Sequence, residues 1–167
     1  MLQYSEDIRK DKDFLESKRY AEDLKQKYDL DLVRLFEYLG EKEVLIPLSI
    51  FNSKLSALET VCRYMHDNLG IGFKRIGGLL SRSEKTVWQA YNHSLRKYKK
   101  TLKPGKGEYV IPVSALSDRK LSNLEAIVSY VKERYGLKFS EISVLLHRDQ
   151  RTVWTVYNRA RKKCGKD

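Results

Sequence analysis

The chain has 167 residues, 41% apolar and 33% charged, with 33 Lys and Arg against 22 Asp and Glu for a formal charge of +11. No run of about 18 uncharged apolar residues occurs, which excludes a membrane-spanning helix, and residues 1–19 lack the apolar stretch of a signal peptide. Cys62 and Cys164 make no disulfide framework and no zinc spacing, so an intracellular, reducing compartment is expected.

The charge is unevenly spread. Residues 1–44 hold 9 Lys and Arg against 12 Asp and Glu, residues 45–107 hold 12 against 3, and residues 108–167 hold 12 against 7. The basic surplus belongs to the last three quarters, where it attracts nucleic acid or an anionic membrane surface, or simply aids solubility. Within the acidic segment 1–44, Ile8, Leu15, Leu24, Tyr28, Leu32, Val33, Leu35, Phe36 and Leu39 predict a long helix and a shorter one, broken near Tyr28–Leu30. That is more apolar surface than a lone helix buries. The segment is expected to dock as a dimerisation element, on a protein partner, or on the rest of its own chain.

From residue 45 onward the sequence repeats itself. Ile46-Pro47-Leu48-Ser49 returns as Ile111-Pro112-Val113-Ser114, and Leu55–Lys97 aligns without gaps to Leu121–Lys163 with 17 of 43 positions identical. Units are therefore expected at 45–101 and 111–167, joined by a basic, flexible linker, 102–110, whose Leu102-Lys103-Pro104-Gly105-Lys106-Gly107 either touches phosphate or stays solvated. The Ile-Pro segments read as extended lead-ins that pack on the helix that follows them.

Each copy predicts three helices. The first opens at a capping box, Ser56 with Glu59 and Ser122 with Glu125, carries the stripe Leu58, Val61, Cys62, Met65 or Leu124, Ile127, Val128, Val131, and stops at Gly70 or Gly136. A short second helix holds Ile76, Leu79, Leu80 or Ile142, Leu145, Leu146. A turn of about three residues, Ser81-Arg82-Ser83 or His147-Arg148-Asp149, leads to a third helix capped by Ser83 or Asp149. Gly77 and Ser143 supply the small residue that lets the last two helices cross closely. The inward positions of the third helix are Val87, Ala90, Tyr91, Ser94 and Val153, Val156, Tyr157, Ala160. The fold class is all-α: two tandem trihelical helix-turn-helix units behind an N-terminal helical segment.

With that core assigned, the third helix of the first copy turns Glu84, Lys85, Trp88, Gln89, Asn92 and His93 outward; the second turns Gln150, Arg151, Trp154, Thr155, Asn158 and Arg159. Amide, guanidinium and hydroxyl groups in the N-terminal half of an exposed helix suit base edges in a major groove. The basic runs that follow, with Arg96, Lys97 and Arg161, Lys162, Lys163, suit phosphates, and Arg82 and Arg148 join them from the turns. Trp88 and Trp154 either stack on those turn arginines or meet sugar and thymine methyl.

The stretch Phe139–Leu146, His147-Arg148-Asp149 and Gln150–Lys163 resembles the C-terminal helix-turn-helix, region 4, of bacterial sigma factors, and Phe73–Lys97 looks alike. With their leading helices the two units cover roughly 115 of the 167 residues. The resemblance implies a trihelical DNA reader whose last helix enters the major groove. It departs from the family at the turn, where Gly and an apolar residue are usual and Ser81-Arg82 and His147-Arg148 stand here; the polymerase-binding and promoter-melting regions are missing.

The expectation is a non-enzymatic, cytoplasmic, nucleoid-associated protein that needs no cofactor or metal and has double-stranded DNA as its partner. No small-molecule substrate is evident. Three readings compete: a transcriptional regulator with two related half-sites, a sequence-tolerant architectural protein, and a module for an acidic protein partner.

Overall fold

A computed structural model describes residues 12–28, 43–105 and 109–165 and is mostly helical. The chain divides into two compact units, residues 1–42 and 43–167. In the first, the predicted long helix forms as α1 (Lys12–Tyr28) and leaves Leu15 and Tyr20 exposed. The break and shorter helix predicted beyond Tyr28 lie outside the described residues, as does Ile8.

The second unit holds both copies of the repeat. In the first copy α2 (Ala57–Asp67), α3 (Phe73–Leu79) and α4 (Glu84–Lys97) follow one another; in the second come α5 (Asn123–Tyr135), α6 (Phe139–Leu146) and α7 (Gln150–Lys163). Both capping boxes form: Ser56 and Ser122 Oγ accept from the amides of Glu59 and Glu125, whose carboxylates accept from the serine amides. Gly136 ends α5 in the left-handed region at φ 67°, and Gly70 adopts the same φ just past α2.

Those glutamates do a second job. Lys97 Nζ, in the last turn of α4, lies 2.6 Å from Glu59, and Lys163 Nζ, in the last turn of α7, lies 2.7 Å from Glu125. Each third helix is thereby tied to the start of its own first helix. Burial alone would raise these carboxyls; the lysine ammonium and the serine amide outweigh it, and both are held below the ordinary 4.5. A carboxyl with a lower pKa folded than unfolded stabilises the fold while ionised. That contribution is complete above 4.5 and is lost as pH falls through the folded value. Melting temperature should therefore drop on acidification below 4.5, and the double variant Glu59→Gln, Glu125→Gln should flatten that part of the profile; an unchanged slope would show the pairs to be inert.

The turns between second and third helices are tight. Arg82 N donates to Gly77 O at 2.8 Å and Arg148 N to Ser143 O at 2.9 Å, around Ser81 and His147, which take left-handed φ of 51° and 50°. A Cβ on Gly77 would stand 2.8 Å from Arg82 O, whereas one on Gly78 meets nothing within 4 Å. Gly77→Ala should therefore cost about 1–3 kcal/mol by overpacking, while Gly78→Ala, in a helix, should gain about 0.5–1 kcal/mol. Urea midpoints of the two variants check the contrast.

The two copies are not independent beads on a linker. The lead-ins pair with each other as a two-stranded antiparallel sheet, β1 (Leu45–Pro47) with β2 (Val110–Pro112), rather than each packing only on the helix that follows it. Its register sets Ile46 opposite Ile111, Leu45 opposite Pro112 and Pro47 opposite Val110. Leu48 N donates to Tyr109 O at 3.0 Å and Val113 N to Val44 O at 2.9 Å. Arg82 reaches Leu121 O, and Arg148 reaches Asn52 O and Leu55 O. Exchanging the copies converts every one of these contacts, apart from the added Asn52 bond, into another on the same roll. Such a seam is isologous, the kind that joins a two-fold dimer. One continuous core runs across it, from Ile46, Leu48 and Val61 to Ile111, Val113 and Ile127.

The linker is anchored too. Leu102 is buried, Asn68 Nδ2 donates to Leu102 O at 3.0 Å, and Gly105 N donates to Ser49 Oγ at 3.0 Å. The sequence predicts a flexible connection; through Gly105 the backbone is instead fastened to the first copy. Residues 106–108 lie outside the described residues.

Candidate nucleic-acid interface

Helices α4 and α7 carry the residues singled out in the sequence, apart from Arg82 and Arg148, which lie in the turns that precede them. Each starts at a satisfied N-cap: Ser83 Oγ accepts from Thr86 N, and Asp149 accepts from Arg151 N and Thr152 N. Val87, Ala90 and Ser94 bury one side of α4, and Val153 and Ala160 one side of α7. Tyr91 and Tyr157 are half-buried flank residues. Tyr91 donates to Asp67 Oδ1 at 3.0 Å and lies against His66 and Phe73; Tyr157 meets Phe139. Burial and the Asp67 carboxylate raise the Tyr91 phenol pKa, so it stays a neutral donor.

The opposite side is open. On α4, Glu84, Lys85, Gln89, His93 and Arg96 are exposed; on α7, Gln150, Arg151, Arg159 and Lys162 are exposed, with Thr155 and Asn158 half-buried. Trp88 is 53% exposed and Trp154 56%. Two indoles at one repeat position, each more than half in water, are not core residues. Phe139, Asp149, Gln150, Arg151, Trp154 and Thr155 line an open groove at the start of α7.

Four predicted contact residues have other employment. The guanidiniums of Arg82 and Arg148 turn into the seam and donate to backbone carbonyls of the other copy, including Leu121 O at 3.2 Å and Asn52 O at 3.1 Å. In this arrangement they meet carbonyls and not the tryptophans: Arg82 spans two, of Ser81 and Leu121, and Arg148 three, of Asn52, Leu55 and His147, which is what a planar fork of donors suits. Lys97 is engaged in the ion pair with Glu59. The amide of Asn92 donates to Trp88 O, 2.9 Å away on its own helix.

Arg63 escapes the sequence reading altogether. It sits on α2, only 3% exposed, with Nε 3.2 Å from Asp67 and its other nitrogens on Tyr98 O at 2.5 Å, Lys100 O at 3.0 Å and Ser94 O at 3.4 Å. It thus fixes the C-terminal end of α4 and the chain leaving it. A charged residue one place beyond Cys62 in an apolar stripe was the available signal.

Cys62 is fully buried, and burial pushes its thiol up to about 12, which leaves it unreactive at neutral pH. Among the described residues no group of His, Cys, Asp and Glu is placed to hold a metal ion, and no helix is long and apolar enough to cross a membrane. No family model, curated protein or solved structure matches the chain.

Proposed function

We propose that this chain is a non-enzymatic, double-stranded DNA-binding protein, a transcriptional regulator in which α4 and α7 are the reading helices of two helix-turn-helix units of the sigma region 4 kind. One observation carries the reading: the same helix in both copies buries one side in its core and offers Trp, Lys or Arg, and amide or hydroxyl groups to water from the other. The short turns, closed by a left-handed Ser81 or His147, join each helix to its predecessor over the few residues that a helix-turn-helix needs, which supports the reading. Exposed basic side chains at the helix ends, Arg96 and Lys162, provide for the backbone.

The heads differ at Glu84/Gln150, Gln89/Thr155 and His93/Arg159, so the half-sites are related rather than identical. Selection of bound duplexes from a randomised pool tests the proposal. A two-part motif supports it, unselective recovery with steep salt dependence points to an architectural binder, and no recovery at moderate salt removes DNA. Lys85→Ala and Arg151→Ala should each weaken the selected site by about 1–3 kcal/mol where they meet a base edge. Equal losses on selected and random duplexes would reduce them to phosphate contacts.

A further inference from the structure

We infer that the two half-sites are inverted, related by a two-fold axis on a single duplex, and not repeated head to tail as the tandem order of the copies suggests. The inference rests on the DNA-reading proposal above and deepens it.

The warrant is the seam. In β1 and β2, Ile46 pairs with Ile111, its own counterpart in the repeat, and the flanking pairs exchange when the copies are swapped. The Leu48–Tyr109 bond exchanges with Val113–Val44, and the Arg82–Leu121 bond exchanges with Arg148–Leu55. A head-to-tail arrangement would join two different surfaces and could not set a residue opposite its own equivalent. Three separate sets of contacts therefore specify a rotation of half a turn between the copies.

That rotation carries α4 onto α7. Both helices also start beside the seam: α4 begins two residues after Arg82 and α7 two residues after Arg148, and each arginine is anchored in the opposite copy. Their other ends are tied back to their own copies through Lys97–Glu59 and Lys163–Glu125. The base-reading ends thus flank the axis. The two antiparallel strands of a duplex are themselves related by two-fold axes across the helix, so heads related by half a turn read the same message on opposite strands. The differing residues on the two heads make the palindrome imperfect.

The test uses the full chain. Half-sites recovered from a randomised pool are rebuilt as synthetic duplexes, inverted, direct, or single, and titrated by the fluorescence of the chain's two tryptophans, one on each head. The inverted duplex is expected to bind about 100-fold tighter than the direct or single one, because only there does the second head engage intramolecularly, with one chain per duplex. A direct repeat bound as tightly, or two duplexes taken up per chain, overturns the inversion and leaves duplex recognition standing. Failure to retain any duplex removes both.

Discussion

Replacing Arg63 by alanine is expected to lower the stability of the unit formed by residues 43–167 by about 3–5 kcal/mol, the loss seen when a buried charge network loses one member. Three of its four acceptors are backbone carbonyls, of Ser94, Tyr98 and Lys100, which no second substitution can remove. Each orphaned acceptor costs on the order of 1–3 kcal/mol, so the desolvation saved by deleting the guanidinium does not compensate. Lysine should rescue only part, since it brings a point charge and not a fork. The matching position in the second copy supplies the control: Ser129 Oγ is buried with no hydrogen-bond partner among the described residues, and Ser129→Ala should be neutral or mildly stabilising. Urea unfolding at constant slope measures both. A loss below about 1 kcal/mol for Arg63→Ala would mean that water reaches those carbonyls.

The paired variant Arg82→Ala, Arg148→Ala should be as damaging. Across the seam Arg82 makes one charge-assisted bond and Arg148 two; with about 1.5–3 kcal/mol lost for each arginine and no partner shared, roughly 3–6 kcal/mol is expected together. The outcome separates the seam role seen in the structure from the phosphate role expected from the sequence. If these arginines hold the seam, stability falls, and affinity for a paired site falls more than affinity for a single half-site. If they serve phosphates, stability stays put and every duplex loses affinity alike.

Much of the local structure is readable from residue types alone. The Ser-x-x-Glu boxes mark where α2 and α5 begin, the glycines mark where they stop, and the positions of Ile76, Leu80, Val87 and their counterparts predict the core. These features depend on neighbours within one turn of helix. The seam does not. Nothing local distinguishes an Ile-Pro segment that packs on its own helix from one that pairs with its twin; the choice depends on surfaces some 65 residues apart. The same blindness affects the turn arginines. Retention in both copies marks Arg82 and Arg148 as needed, and a positive charge beside a reading helix suggests DNA, but retention serves equally well a contact each copy makes to the other. Arg63 was hidden for the opposite reason: with Ser129 at its matching position, no repetition draws attention to it.

Because the halves meet within one covalent strand, their association is a first-order event, indifferent to how dilute the protein is, where a pair of separate subunits would come apart on dilution. Linkage also loosens the rule that binds identical subunits, in which every substitution is felt twice. Here a change on one side is felt once, which is how Arg63 can stand in one half and Ser129 in the other, and how Gln89 and Thr155 can be tuned separately while the scaffold between them keeps its symmetry.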